Sequence, residues 1–403
     1  MITPKLMRKR VDRAQKNLDD FRSMLDVAYD YTMPENNQFY TREAGKEENL
    51  HVYDHTAPNG VVVAANRMQG GLFPPKQKFI KFASGTDYDE GQKELDDALI
   101  KATDEFFSYF HASNFDTEIN PALQESLIST GYIQIDEQPI WEDVPFRFSA
   151  VSTANVLPEK PTNGTIENCH RRLKVAAGAI KETWPEAKIP TELQKVIDRD
   201  EFEEVDIIVS QIKERNKYWL YVMWEKEFLF KEERDYKFII PFRESVSPNE
   251  VLGRGPIIRL LPLIRRVNKV MEMGLQAAAI NIFGVFTARS DGDFNPFTAR
   301  IEPQAVIPVD SNDNQNPTLR QLDKVGDAGL ADFIVGDMQA IIEKVLFINP
   351  LGDVTDPVKS ATEQMIRQQE QLRSQGVAIG RLNTELSDVV VRSVVAILRS
   401  RGK

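Results

Sequence analysis

The chain has 403 residues, 41% of them hydrophobic and 28% charged, with a formal net charge of −11 and a single cysteine, Cys169. That length and balance give two or three folded domains with a substantial core, and one cysteine excludes an intramolecular disulfide framework. The acidic excess argues against wrapping nucleic acid by charge neutralisation, though not against a passage in which DNA slides, and the longest apolar stretch, 274–288, is too short for a bilayer.

Residues 3–31 carry helical periodicity, with Leu6, Val11, Leu18, Phe21, Leu25 and Ala28 on one side and Pro34 as the stop. A polar loop is expected over 36–49, then a turn or helix start at Pro58, Asn59 and Gly60, then a small buried helix over 61–72 ending at Gly70 and Gly71. Pro74 and Pro75 break it, and Phe79, Ile80, Lys81 and Phe82 read as a short strand. Helical patterns return over 90–113 and 115–129, the second with Pro121 in its opening turns, and Gly131 closes the pair. From 132 to 243, β-like runs at 132–135, 146–148, 205–210, 218–224 and 237–240 alternate with one or two helices, which makes an α+β body.

After 247–249 the character changes. Gly253, Arg254, Gly255 and Pro256 lead into a run to about residue 287, broken only by Pro262, which kinks the helix or marks its true first turn. A helix of that length spans on the order of 45 Å. Its second half holds Gly274, Ala277, Ala278 and Gly284, small enough for neighbouring helices to approach closely, and its first half carries Arg259, Arg265, Arg266 and Lys269. A polar segment over 290–316 contains a strand-like run at 304–309 and an Asn/Asp-rich turn at 311–316. A second helix is expected over 327–347, a Pro/Gly loop around 349–357, and a last long helix over 360–399, weakened in the middle by Gly376 and Gly380.

The charges are unevenly placed: the first helix is basic, the stretch 302–356 strongly acidic with Asp310 and Asp313 among its carboxylates, and 359–403 basic again. Taken singly these are solvated helix faces, but in a ring each would become a band of one sign. His51, Asp54 and His55 have the spacing of a zinc site on one helical face, yet their flanks are loop-like and no third ligand is evident, so a polar surface turn is the better reading. His111 and His170 are isolated, and Cys169 beside His170 is a neighbour in sequence only. No phosphate-binding loop, Gly-x-Ser-x-Gly elbow or EF-hand occurs, and Gly253 to Pro256 lacks the spacing and lysine of the first. The reading is of a structural protein, not an enzyme, with no catalytic residue, cofactor or metal assigned. The opening residues lack the order of a signal peptide, which fits synthesis in a reducing cytoplasm.

Tyr31-Thr32-Met33-Pro34, then Val52 to Ala57, Asn66 to Leu72 with Phe73-Pro74-Pro75 and Phe79, and Asn114-Phe115 through Glu118 to Leu127 and Gly131, come in an order that resembles the head-to-tail connector, or portal, family of short-tailed, podovirus-like phages. The Gly253 to Pro256 lead into a long helix, a polar insertion, a second helix, a Pro/Gly loop and a final helix resemble the family's second half. The resemblance implies a mainly α fold with an α+β wing, assembled as a ring, usually of twelve subunits, around a channel for double-stranded DNA. It implies a wing over 1–250, a stem helix over 251–289, a clip over 290–326, a second stem helix over 327–348, a tunnel loop over 349–360 and a helix returning to the wing over 361–403. On that scheme Asn349, Asp353, Asp356 and Lys359 face the DNA, Arg265, Arg266 and Lys269 are stem lumen candidates, Gly274, Ala277 and Ala278 pack subunits together, and Asp310, Asp313 and Arg320 belong to the docking clip. The implied partners are the terminase large subunit, a tail adaptor and the major capsid protein, with no membrane, and the implied place is the capsid portal vertex, reached from the host cytoplasm during assembly. Longer members continue past the last helix, so a crown or barrel is not expected. Another virion structural protein, such as a tail adaptor or minor capsid protein, would share the composition, and a metal-dependent enzyme using His51, Asp54 and His55 is the third reading.

Overall fold

A computed structural model describes residues 2–36, 39, 51–83, 92–161, 163–283, 286–288, 319–321, 328–346, 376 and 379–402. Helix α1 (Pro4–Thr32) begins where Thr3 accepts a hydrogen bond from the Leu6 amide at 3.4 Å and Pro4 occupies the first turn, where its missing N–H has no partner to lose. Met7, Val11, Ala14, Leu18, Leu25 and Ala28 are buried at helical spacing. Leu6, expected on this stripe, is exposed. One residue turns a helix by about 100°, so the buried series runs through Met7 instead. Helix α2 (Thr56–Leu72) takes Pro58, Asn59 and Gly60 into its first turns and runs through both Gly70 and Gly71.

Helices α3 (Gln92–Ala112) and α4 (Phe115–Ile128) follow, with Pro121 inside α4. Between α2 and α3, residues 79–82 do not form the expected strand. Phe79 instead packs edge-on against Phe73 at 5.1 Å and Phe107 at 5.3 Å, and the Phe82 amide donates to Thr103 Oγ1 of α3 at 3.2 Å. A strand needs a neighbouring backbone, and this segment meets a helix side. The ring cluster continues through Phe110, Phe115 and Phe148 and joins these helices to the first sheet.

That sheet has three antiparallel strands in the order β2 (Phe146–Val151), β1 (Thr130–Glu137), β8 (Ile239–Arg243). A second sheet is an antiparallel run of β3 (Val156–Pro158), β4 (Cys169–Ala176), β5 (Glu204–Glu214), β6 (Lys217–Trp224) and β7 (Glu227–Arg234). Helices α5 (Ile180–Thr183) and α6 (Thr191–Arg199) bridge β4 to β5. Strands β3, β4 and β7 were not among the expected runs. The body is α+β, as expected.

The long helix α7 spans Pro256–Phe283, so Pro256 is its first residue and Pro262 lies within it. Residues 286–288 then leave the helix for strand β9 (Phe286–Ala288), which pairs antiparallel with β10 (Leu319–Gln321). The second long helix is α8 (Ala328–Val345). Near the end of the chain a π-helical segment, Asn383–Ser387, passes into α9 (Asp388–Ser400). The insertion's expected strand at 304–309 and turn at 311–316, the 349–360 loop and the start of the last helix lie outside the described residues.

Candidate functional site: the long helix pair and its anchors

Two glycines set the start of α7. A Cβ on Gly253 would stand 2.4 Å from the Ser129 carbonyl oxygen, and one on Gly255 would stand 2.0 Å from that of Leu127. The chain therefore crosses the end of α4 at backbone contact, held there by Gly255 N–H to the Ile128 carbonyl at 3.0 Å and Gly253 N–H to Thr130 Oγ1 at 2.9 Å. Only residues without a Cβ fit this crossing. It fixes where the long helix leaves the body.

The first half of α7 is core: Ile257, Ile258, Leu260, Leu261, Ile264 and Val267 are buried. Asn268 ends this half and holds residues 51–55 by accepting from the Tyr53 and Asp54 amides at 2.7 and 3.1 Å and donating to the His51 carbonyl at 2.8 Å. Asp54 in turn accepts from Gln339 of α8 at 2.7 Å and from Thr56 at 2.9 Å. His51, Tyr53 and His55 are exposed, as in the polar surface turn expected, but Asp54 is buried and ties the segment to both long helices through side chains more than two hundred residues away. The segment does not form the helical face that a His51–His55 metal pair requires, since α2 starts only at Thr56, and the His51 ring lies edge-on to Tyr31 at 5.7 Å.

Helices α7 and α8 pack together, and α8 also packs on α2. Beyond Met271 the outer surface of α7 is largely apolar and open: Met273 is 58% and Leu275 54% exposed, with Gly274, Ala278 and Ala279 exposed beside them and Gln276 as the exposed polar residue among them. Ile341 and Val345 of α8 are exposed as well. A helix that is apolar on the side away from its own core presents a surface for something else to cover.

Residues 5–403 match the family described as bacteriophage head to tail connecting protein. The chain belongs to that family. None of the curated proteins matches the chain. The connector therefore works in the phage particle at the junction of head and tail, within an oligomeric complex. Among the described residues, no helix is long and apolar enough to cross a membrane.

The expected site residues fall into three groups. Arg265, Arg266 and Lys269 of the connector are exposed on α7, the last paired with Glu272 at 2.9 Å. Gly274 and Ala278 are exposed and Ala277 half-buried, while Arg320 sits in β10 opposite Thr287. Asp310, Asp313, Asn349, Asp353, Asp356 and Lys359 lie outside the described residues.

Among the described residues, one Ser–His–Glu line runs between α1 and the second sheet. Ser210 Oγ lies 2.8 Å from His170 Nδ1, and His170 Nε2 lies 3.1 Å from Glu159, whose carboxylate also takes two 2.6 Å bonds from Arg10. Ser210 and His170 are fully buried, and the line docks α1 onto the second sheet. Burial alone would raise the Glu159 carboxyl, but the hydrogen bonds from His170 and Arg10 hold it well below the usual carboxylate range. Burial pushes the neighbouring Cys169 thiol up to about 12, which leaves it protonated and inert.

At the other end, Arg243 is buried and bound to Glu385 of the π-helical segment, Nη2 to Oε1 at 2.8 Å, with further bonds to the Val251 and Gly164 carbonyls at 3.2 and 2.7 Å. This pair fastens the last helix to the body. Sequence pattern could not pair residues 142 apart.

Proposed function

We propose that the connector is a portal subunit: copies form a ring, of about twelve, whose central channel passes double-stranded DNA during packaging and ejection. The reading rests on family membership and on one observation, that α7 leaves the body through a fixed crossing, carries an uncovered apolar surface, and is followed by an insertion whose two ends pair as β9 and β10 before α8 returns. In this reading α7 and α8 form the stem, and the insertion between them, with Arg320, Asp310 and Asp313, is the clip that meets the terminase motor and later the tail adaptor. The loop bearing Asn349, Asp353, Asp356 and Lys359 faces the DNA, and Arg265, Arg266 and Lys269 look into the lumen. The body is the wing, set against the major capsid protein at the portal vertex. An acidic lumen with only sparse basic rings grips DNA weakly, which a duplex moving both ways requires. The protein acts as a conduit and does no chemistry, and assembly takes place in the host cytoplasm. Negative-stain images of the purified protein test this: rings with a central hole are expected, and monomers or fibres at assembly concentrations would overturn it.

A further inference from the structure

The two most exposed large apolar side chains among the described residues are neighbours. Ile140 is 90% and Trp141 82% exposed, at the tip of the β1–β2 hairpin. The tip is braced: Gln138 N–H donates to the Pro145 carbonyl at 3.0 Å, Glu142 N–H to the Pro139 carbonyl at 3.1 Å, and Arg401, just past α9, donates to the carbonyls of Gln138 and Pro139. Glu142 and Asp143 follow directly and are exposed. A braced tip that holds a tryptophan in water is a preformed anchor, because much of its loop entropy is already spent before contact.

A receptor of the opposite character lies elsewhere on the same chain. Residues 78–81 and helix α3 enclose an open groove of about 530 Å³ lined by Phe79, Ile80, Ile100 and Thr103, with Lys78, Lys81 and Asp104 at its rim. Lys78 is shared with Asp104 at 2.6 Å, and both lysines are exposed, so the rim carries one excess positive charge. The groove is large enough for an isoleucine and an indole together, and its lysines suit the two carboxylates behind them.

We propose that the Ile140–Trp141 tip of one copy seats in the Ile80–Ile100 groove of the next, with Glu142 and Asp143 meeting Lys78 and Lys81. Tip and groove are different surfaces, so the contact is head-to-tail and repeats around a closed ring. This rests on the ring reading above. It adds a specific joint in the body, separate from the long helices.

The experiment uses the full chain carrying Trp141→Cys and Ile80→Cys together, treated with a short bis-maleimide, and sized in parallel by sedimentation. Fully buried Cys169 keeps the wild-type background low. A ladder of covalent multimers at least ten-fold above either single variant is expected. In a second arm, Glu142→Lys with Asp143→Lys should lower assembly, and Lys78→Glu with Lys81→Glu in the same chain should restore it, with circular dichroism confirming that each variant folds. Rings that form without cross-linking, or charge reversal without effect on assembly, overturn the joint while leaving the ring reading intact. Normal rings from Trp141→Ser that fail only in virions would assign the tip to another virion protein and likewise overturn it. A chain that is monomeric throughout and never cross-links removes both.

Discussion

Gln211 carries no charge and touches no solvent, yet it makes four hydrogen bonds to backbone. Its Nε2 donates to the Glu167 and Ile239 carbonyls, both at 3.0 Å, and its Oε1 accepts from the Phe238 and Ile239 amides at 2.9 and 2.7 Å. A full donor and acceptor set at the place where the second sheet meets β8 is what makes a buried amide favourable. Glu244, just beyond β8, is the opposite case: its Oε2 is buried without a partner. Burial raises this carboxyl from 4.5 to about 7, against a weaker pull from Arg259. A folded pKa above the unfolded one means that the native state holds the proton more tightly, so the stability gained is full below pH 4.5 and is lost as the pH rises through about 7. Glu244→Gln should therefore be more stable than the parent at pH 8 and converge with it near pH 4. Melting temperatures over that range check this, and parallel curves would contradict it.

Among the elements, the crossing before α7 and the attachment of α9 are the two joints. Gly255→Ala places a methyl 2.0 Å from the Leu127 carbonyl oxygen, where only backbone can yield. It should destabilise by about 3 kcal/mol, the upper part of the range for overpacking, read as a lower urea midpoint; an unchanged midpoint would mean that the crossing relaxes freely. Glu385→Gln leaves Arg243 buried without its countercharge, a loss of about 3–5 kcal/mol for a broken buried pair. Hydrogen exchange should show α9 amides losing protection before those of β5 and β6; uniform loss would place the pair within the global core instead.

The element scale also shows what a sequence can and cannot display. Helices α1 and α8 were legible because their apolar spacing repeats over many turns, α7 because its long run holds no strong breaker but Pro262, and β6 because Tyr218 to Trp224 is a continuous apolar run rich in aromatic residues. Strand β4 was hidden by Arg171, Arg172 and Lys174, which are partly exposed along its length, and β7 by the charges from Lys231 to Arg234. Residues 79–82 had strand composition but no strand partner. Of the site, the glycine crossing was visible as a lead into a helix, whereas the Asn268, Asp54 and Gln339 tie depends on side chains brought together only by folding. The Ile140–Trp141 tip carries its own signal, an adjacent isoleucine and tryptophan followed by Glu142 and Asp143 between Pro139 and Pro145.

At the scale of the whole molecule, the body is closed and the far half of the long helix pair is open. Ala277 is half-buried and Ala278 exposed on α7, and in the proposed ring this face meets a neighbouring copy. Ala277→Trp should abolish or distort rings in negative stain while the isolated subunit keeps its circular dichroism spectrum; normal rings would move the subunit contact elsewhere. If the loop bearing Lys359 faces the duplex, Lys359→Ala virions should assemble normally but package or retain less DNA, measured as genome content per particle. Equal content would remove the loop from the channel.

The β9–β10 pair has a consequence for how such a protein can change over time. Leu319 stands opposite Ala288, so thirty residues depart from and come back to a single point. Whatever is carried between those two ends, long or short, leaves the spacing of the scaffold beneath it unaltered, because a clamped base hides the length of the excursion. If that excursion is the clip, it can diverge with its partners at its own pace while the helices that support it stay in place.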